Sequence, residues 1–284
     1  MILSCGTLSY RQESLQRALE GIARAGFQWV EIGCVCGYCE HITPETMDAA
    51  DADQLEDQVA GLGLKIASIA GHVDLKYPLL GKGAEIARQG FDLLRARIEL
   101  ACHLQVGIVN TGIGATQDAA ELETFYRDFD DLLQFAEQRG VKIGLESHAG
   151  LTETAVATLA LCQRMGRASL GVNYDPGNVH YFTGLDPVAD LAACRGEIGD
   201  WLIHVHIKDH RGGKGTWDFP PLGQGDVDLP AVATILKQIG YQGPCSLEIE
   251  FRGPDSQDPS AEIIDRGVAE SFRFMKHLGL EDVT

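Results

Sequence analysis

Short β-rich runs alternate with longer amphipathic runs from one end of this 284-residue chain to the other, and that alternation constrains the fold more than any single residue. The strand candidates are residues 2–6, 29–33, 65–70, 106–111, 141–147, 170–175, 202–208 and 245–251. Helical runs separate them at 15–25, 51–62, 83–100, 121–139, 153–165, 187–197 and 229–239. In the first of these, Leu15, Ala18, Leu19, Ile22 and Ala23 recur at three- and four-residue spacing, which makes one helical face. Gly140 and Gly240 end helices ahead of strands. Asp228, before Leu-Pro-Ala, and Asp186, before Pro187, read as N-caps. Eight β-then-α units with no Pro/Ser-rich linker predict α/β class, a single (β/α)8 barrel filling residues 1–284 as one domain. An open doubly wound sheet would carry a Gly-rich phosphate loop after its first strand, and Ser4-Cys-Gly-Thr-Leu-Ser is not one. The acidic tail, residues 281–284, is expected to fray.

The charge balance excludes some partners. Forty-one acidic against 23 basic residues give −18, which opposes nucleic-acid binding, since that draws on Lys and Arg, and opposes an anionic membrane surface. No apolar run reaches 18 residues. The start, MILSCGTLSY, reads as a strand rather than a signal peptide. Eight cysteines are too sparse for a disulfide scaffold, so a reducing cytoplasm is expected. A homo-oligomer is compatible with the sequence.

Strands of a parallel sheet covered on both faces normally read as continuous apolar runs. Four here break that rule in the same way. Val141, Ile143 and Leu145 are apolar, whereas Glu146 and His148 are polar; Leu170 and Val172 stand against Asn173 and Asp175. In the seventh strand Ile203, Val205 and Ile207 share one face, and His204, His206 and Lys208 share the other. In the eighth, Leu247, Ile249 and Phe251 oppose Glu248 and Glu250. Strand side chains alternate, so the polar series can face the barrel axis. Buried charge needs compensation, and metal coordination supplies it. These residues gather at the C-terminal strand ends, where barrel active sites are built. Carboxylates with imidazole suit one divalent ion: Mn²⁺, Mg²⁺, Co²⁺ or Zn²⁺. The competing reading is a neutral hydrogen-bond network with no ion.

The segments Gly-Leu-Glu-Ser-His (144–148), Tyr-Asp-Pro-Gly-Asn (174–178), His-Val-His-Ile-Lys-Asp (204–209) and Gly-Pro-Cys-Ser-Leu-Glu (243–248) resemble the xylose-isomerase-like barrel superfamily. That group includes sugar-phosphate isomerases and epimerases, ketose 3-epimerases, inosose dehydratases and endonuclease IV enzymes. Leu222-Gly-Gln-Gly resembles its Gly-rich segment after strand seven. The resemblance implies a metal held by Glu146, Asp175, His206 and Glu248, choosing His206 over His204 and Glu248 over Glu250. It also implies that Glu146 and Glu248 are the acid/base pair. Some relatives have His three residues after the strand-six Asp; this chain has Asn178, which counts against a multi-zinc DNA-repair arrangement.

His72, Asn110, His148, Asn178, Lys208 and Arg211 are candidates for contacting substrate. Glu31 lies near the end of strand two as a further contact or support, and Arg252 is a weaker candidate; with Arg211 and Lys214 it makes no dense basic cluster for a phosphate. Cys34, Cys36 and Cys39, with His41 nearby, lack the paired spacing of a structural zinc site and read as ordinary loop cysteines. The expected activity is a metal-dependent isomerase or 3-epimerase acting on a small ketose or polyol, unphosphorylated because no dense basic cluster is evident. The alternatives are a lyase or dehydratase on a keto-inositol or keto-glycoside, and a non-catalytic sugar-binding barrel.

Overall fold

Helix starts are marked by short polar side chains that accept the first free backbone N–H groups. Ser14, Asp48, Asp118, Thr154, Asp175, Asp186 and Asp228 all cap in this way. The computed structural model describes residues 1–251 and 259–280. Arg252 and the acidic tail lie outside them. In chain order the elements are β1 (Ile2–Gly6), α1 (Leu15–Ala25), β2 (Trp29–Val35), β3 (Cys39–Glu40), α2 (Ala49–Ala60) and β4 (Lys65–Ala70). Next come α3 (Ala84–His103), β5 (Ile108–Thr111), α4 (Ala119–Glu137), β6 (Lys142–Glu146), α5 (Ala155–Met165) and β7 (Leu170–Tyr174). The chain continues through α6 (Pro176–Thr183), α7 (Pro187–Cys194), β8 (Leu202–Ile207), α8 (Leu229–Gln238), β9 (Pro244–Leu247) and α9 (Ala261–His277).

Eight of the strands are parallel and close on themselves. The order is β1-β9-β8-β7-β6-β5-β4-β2, with β1 pairing back to β2 through Ser4–Trp29 and Gly6–Glu31. The ninth, β3, is a two-residue antiparallel return on β2 at the barrel mouth. The outward apolar series (Val30, Ile32, Val109, Ile143, Leu145, Val172, Val205, Leu247) packs under the helices, and a single large cluster joins them. Each such side chain contributes about 1.5–3 kcal/mol on full burial. Register then sets the inner face: Glu146 pairs beside Asn173, Asn173 beside His204, and His206 beside Ser246.

Besides the short β3, three elements depart most from the sequence reading. The eighth strand of the barrel stops at Leu247, not residue 251; Phe251 adopts φ 51° and pairs antiparallel with Phe219. The segment 176–183, to which the sequence reading assigns no element, is a helix capped by Asp175. The closing helix α9 was not foreseen because its buried stripe (Ile264, Gly267, Val268, Ser271, Met275) includes Gly and Ser, which blunt the apolar period. Gly267 is small for a reason, since a Cβ there would sit 3.0 Å from Pro221.

Candidate active site and metal centre

The four residues expected to bind metal converge at the C-terminal end of the barrel. Glu146 is the last residue of β6, Asp175 follows β7, His206 lies on β8 and Glu248 follows β9. One ligand atom from each lies within 4.8 Å of the others, and all four side chains are buried. His206 Nδ1 is 3.2 Å from Glu146 Oε2 and 3.9 Å from Asp175 Oδ2. Asp175 divides its two oxygens: Oδ1 accepts the Asn178 backbone N–H at 2.9 Å, while buried Oδ2 has no hydrogen-bond partner.

Around this centre the carboxylates outnumber the cations. Lys208 Nζ lies 3.2 Å from Glu248 Oε2 and 3.6 Å from Asp175 Oδ2, and it contacts Glu250 Oε1. Glu250 also accepts the Tyr38 hydroxyl at 2.6 Å. Burial pushes the Asp175 carboxyl up to about 7, with Lys208 opposing and Glu146 adding. Burial likewise raises Glu248 against His206 and Lys208. Glu146 is buried too, but His72 and His206 outweigh that and hold it well below the ordinary range. His206 is raised well above its usual value despite burial, by Glu248, Glu31 and Glu146. An unpartnered carboxylate oxygen, a surplus of buried negative charge and an oxygen-rich donor set with one imidazole fit a hard or borderline divalent cation.

The substrate candidates separate into three groups. His72, His148, Asn178 and Lys208 line a cavity of about 230 Å³ above the centre, with Glu146, Glu248 and Glu250. His72 Nε2 lies 2.7 Å from Glu146 Oε2, and Asn178 donates to Glu146 Oε1 at 2.6 Å, so both hold that carboxylate. His148 Nδ1 is 2.9 Å from Asp74 Oδ2, and its ring stands edge-on to Phe182. Asn110 does not reach the cavity; it is buried and donates to Glu31 at 2.7 Å. Arg211 lies apart, its guanidinium on Asp218 at 2.7 Å, in a separate hollow with Pro220, Phe251 and Arg266. The loop after β8 turns it there because the Arg211 and Asp218 backbones pair.

Sequence reasoning overlooked the aromatic wall (Tyr38, Tyr181, Phe182, Trp217, Phe219) and Asp74. The aromatics come from loops and α6, where no periodicity marks them; Asp74, two residues past His72, carried the only readable signal. Among the described residues no thiol belongs to a group spaced for a metal. Cys36 Sγ accepts from Arg97 at 3.1 Å and Cys39 Sγ sits 3.5 Å from His41, as structural cysteines. No helix among the described residues is long and apolar enough to cross a membrane.

The comparisons with known proteins bear on this geometry. The chain is 27% identical over 276 residues to the L-ribulose 3-epimerase of Methylomonas sp. strain DH-1, covering 93% of this chain and 85% of that one. It is 25% identical over 215 residues to the L-ribulose-5-phosphate 3-epimerase UlaE of Shigella flexneri serotype 5b, covering 74% and 72%. The crystal structure of D-allulose 3-epimerase from Methylomonas sp. superposes with a TM-score of 0.75 at 20% identity, over 98% of both chains, and so shares the fold. The model of the xylose isomerase-like TIM barrel family matches residues 19–278, and the chain belongs to that family.

Proposed function

We propose that this protein is a divalent-metal-dependent ketose 3-epimerase, within the wider class of sugar isomerases, that uses Glu146 and Glu248 as its acid–base pair. The observation that carries this reading is their placement. Two buried carboxylates, from β6 and β9, reach one cavity with Asp175 and His206 beside them. The epimerase activities of the sequence relatives support it.

Glu146, Asp175, His206 and Glu248 would hold the ion, Mn²⁺, Mg²⁺, Co²⁺ or Zn²⁺. When bound, the ion supplies Lewis acidity that polarises a substrate carbonyl and acidifies the adjacent C–H. The chain's own groups then move the proton. One glutamate takes it from C3, the electron pair passes into the carbonyl, and the other glutamate returns a proton to the opposite face. His72 and Asn178 fix both oxygens of Glu146, and Lys208 fixes Glu248 Oε2, so neither carboxylate needs to reorient. The aromatic and aliphatic wall suits the C–H faces of a neutral sugar.

The test is proton NMR of metal-loaded protein with small ketoses in D₂O. The expected result is loss of the C3 proton signal, with deuterium appearing in both C3 epimers and no loss of mass from the carbon skeleton. Elimination of water or of a glycosyl group would replace this reading with a lyase. Sugar binding without exchange on any ketose, free or phosphorylated, would leave a binding protein.

A further inference from the structure

Behind His206, outside the cavity lining, Glu31 of β2 is fully buried inside the barrel. Its Oε2 accepts from His206 Nε2 at 2.9 Å and its Oε1 accepts from Asn110 Nδ2 at 2.7 Å. We infer that Glu31 is a positioning residue: it fixes the Nε2–H tautomer of His206 and so makes Nδ1 the nitrogen offered to the metal. The inference rests on the metal-centre reading above. A ligand imidazole presents a lone pair only on the nitrogen that carries no proton, and a hydrogen-bond acceptor at the other nitrogen decides which that is. Nδ1 faces Glu146 and Asp175, and Asn173 Nδ2 stands 3.3 Å from it, as a donor does beside an unprotonated nitrogen; Nε2 is 2.9 Å from Glu31 and 3.5 Å from Glu248 Oε1.

A second observation supports a built arrangement. Gly144 interrupts β6, and a Cβ there would come within 2.1 Å of Asn110 Oδ1. Glycine in a strand interior weakens the strand and marks a close approach; here it makes room for the amide that holds Glu31.

Glu31, His204 and His206 also have the spacing of a second ion site. The hydrogen bonds argue against it. His204 Nδ1 is 2.8 Å from Asn173 Oδ1, and its Nε2 is shared by Ser68 and Ser246 at 3.0 and 3.1 Å, whereas Glu31 stands off at 3.6 Å. That imidazole is already satisfied.

The experiment is metal affinity by chelator competition for wild type, Glu31→Gln, Glu31→Leu and His206→Ala, with metal stoichiometry and melting temperature alongside. Glu31→Leu removes the 2.9 Å acceptor of the His206 N–H, leaving only Glu248 Oε1 at 3.5 Å, and is expected to weaken binding about 10–100-fold. Glu31→Gln should lose less, because an Asn110 amide flip leaves the new carbonyl free for His206. Binding by folded Glu31→Leu within about twofold of wild type, while His206→Ala loses it, overturns the role of Glu31 alone. Full binding by both variants overturns the metal-centre reading as well. Two ions per wild-type chain would also overturn it, assigning Glu31 to a second ion. Should Glu31→Leu not fold, ¹⁵N NMR of zinc-loaded wild type decides. A proton on His206 Nε2 is expected, and a proton on Nδ1 rejects the inference.

Discussion

Two polar layers are stacked inside the barrel, and they differ in one respect. Asn173, His204 and Ser246 lie two residues before Asp175, His206 and Glu248 on the same three strands. The deeper layer is neutral: Ser4 and Ser246 hydroxyls are 2.5 Å apart, Ser246 and Ser68 share His204 Nε2, and Asn173 Oδ1 takes Nδ1 while its Nδ2 reaches Glu146 and His206 at 3.4 and 3.3 Å. Burial, the largest influence, holds the His204 imidazole down to about 4, so it stays uncharged. The layer at the mouth has the same chain geometry but carboxylates where the other has hydroxyl and amide, and it leaves Asp175 Oδ2 without a hydrogen-bond partner, 3.6 Å from the Lys208 ammonium. A polar barrel interior is therefore no signal by itself. Uncompensated charge at the strand ends is.

The largest effect should come from crossing that boundary. If Asp175 is a ligand, as proposed, Asp175→Asn should cost metal affinity more than about 100-fold, beyond the range of supporting residues. His204→Gln alters only the neutral layer and should change affinity by less than about 10-fold, while costing about 1–3 kcal/mol of stability through an unpaired hydroxyl or amide. Isothermal titration with Mn²⁺ and urea unfolding of the two variants check both numbers. If His204→Gln lost the more metal, the two layers would have been assigned the wrong roles.

The next effect concerns what balances the mouth layer before an ion arrives. Lys208 is the buried ammonium between Glu248 and Glu250; burial would lower it, but Glu250, Asp175, Glu248 and Glu146 together raise it well above its usual range. Lys208→Met leaves those carboxylates buried without it, which should destabilise the ion-free protein by about 3–5 kcal/mol. Saturating Mn²⁺ should narrow the deficit, since a ligand at 100 times its Kd stabilises the folded state by about 2.7 kcal/mol. Denaturant titrations with and without Mn²⁺ measure this. An unchanged unfolding free energy would mean that Lys208 carries no share of the balance.

Much of this was legible in the residues. Eight short β-rich runs alternating with longer helical runs predict the barrel, and polar residues at the ends of β6 to β9 predict where its site lies. The choice between His204 and His206 was not readable from alternation, because both face the axis; it turns on what the neighbouring strands place beside each ring. His204 meets serines and Asn173, and His206 meets carboxylates. Loop residues were the least legible. Arg211 sits next in sequence to the mouth yet bonds Asp218, and Trp217 six residues on forms the cavity wall. Helix α6 was hidden for a similar reason, since Pro-Gly-Asn reads as a turn until Asp175 is seen to cap it.

The smallest effect tests whether charge at the barrel seam behaves like charge at its mouth. Asp265 of α9 accepts from Tyr10 at 2.9 Å, from Arg17 at 3.0 and 2.8 Å, and from Arg24 at 3.0 Å, joining the last helix to the first. Its side chain is 29% exposed, so water screens these contacts and about 1 kcal/mol is a fair upper value. Burial raises the Asp265 carboxyl, but Arg17, Tyr10 and Arg24 together outweigh it and the net shift is downward. A carboxyl lowered on folding contributes stability above its unfolded value, about 3.9, and loses it as pH falls through the folded value. Asp265→Asn should thus unfold more easily than wild type at pH 7, with the gap closing towards pH 2. A gap that persists in acid would show that the seam is held by packing around Tyr10 and Gly21, where a Cβ would meet the Tyr10 hydroxyl at 2.3 Å, and not by ionised Asp265. Closure of the gap would place the seam with the mouth layer, as charge paired in the folded state, here by Arg17 and Arg24 where the mouth has Lys208.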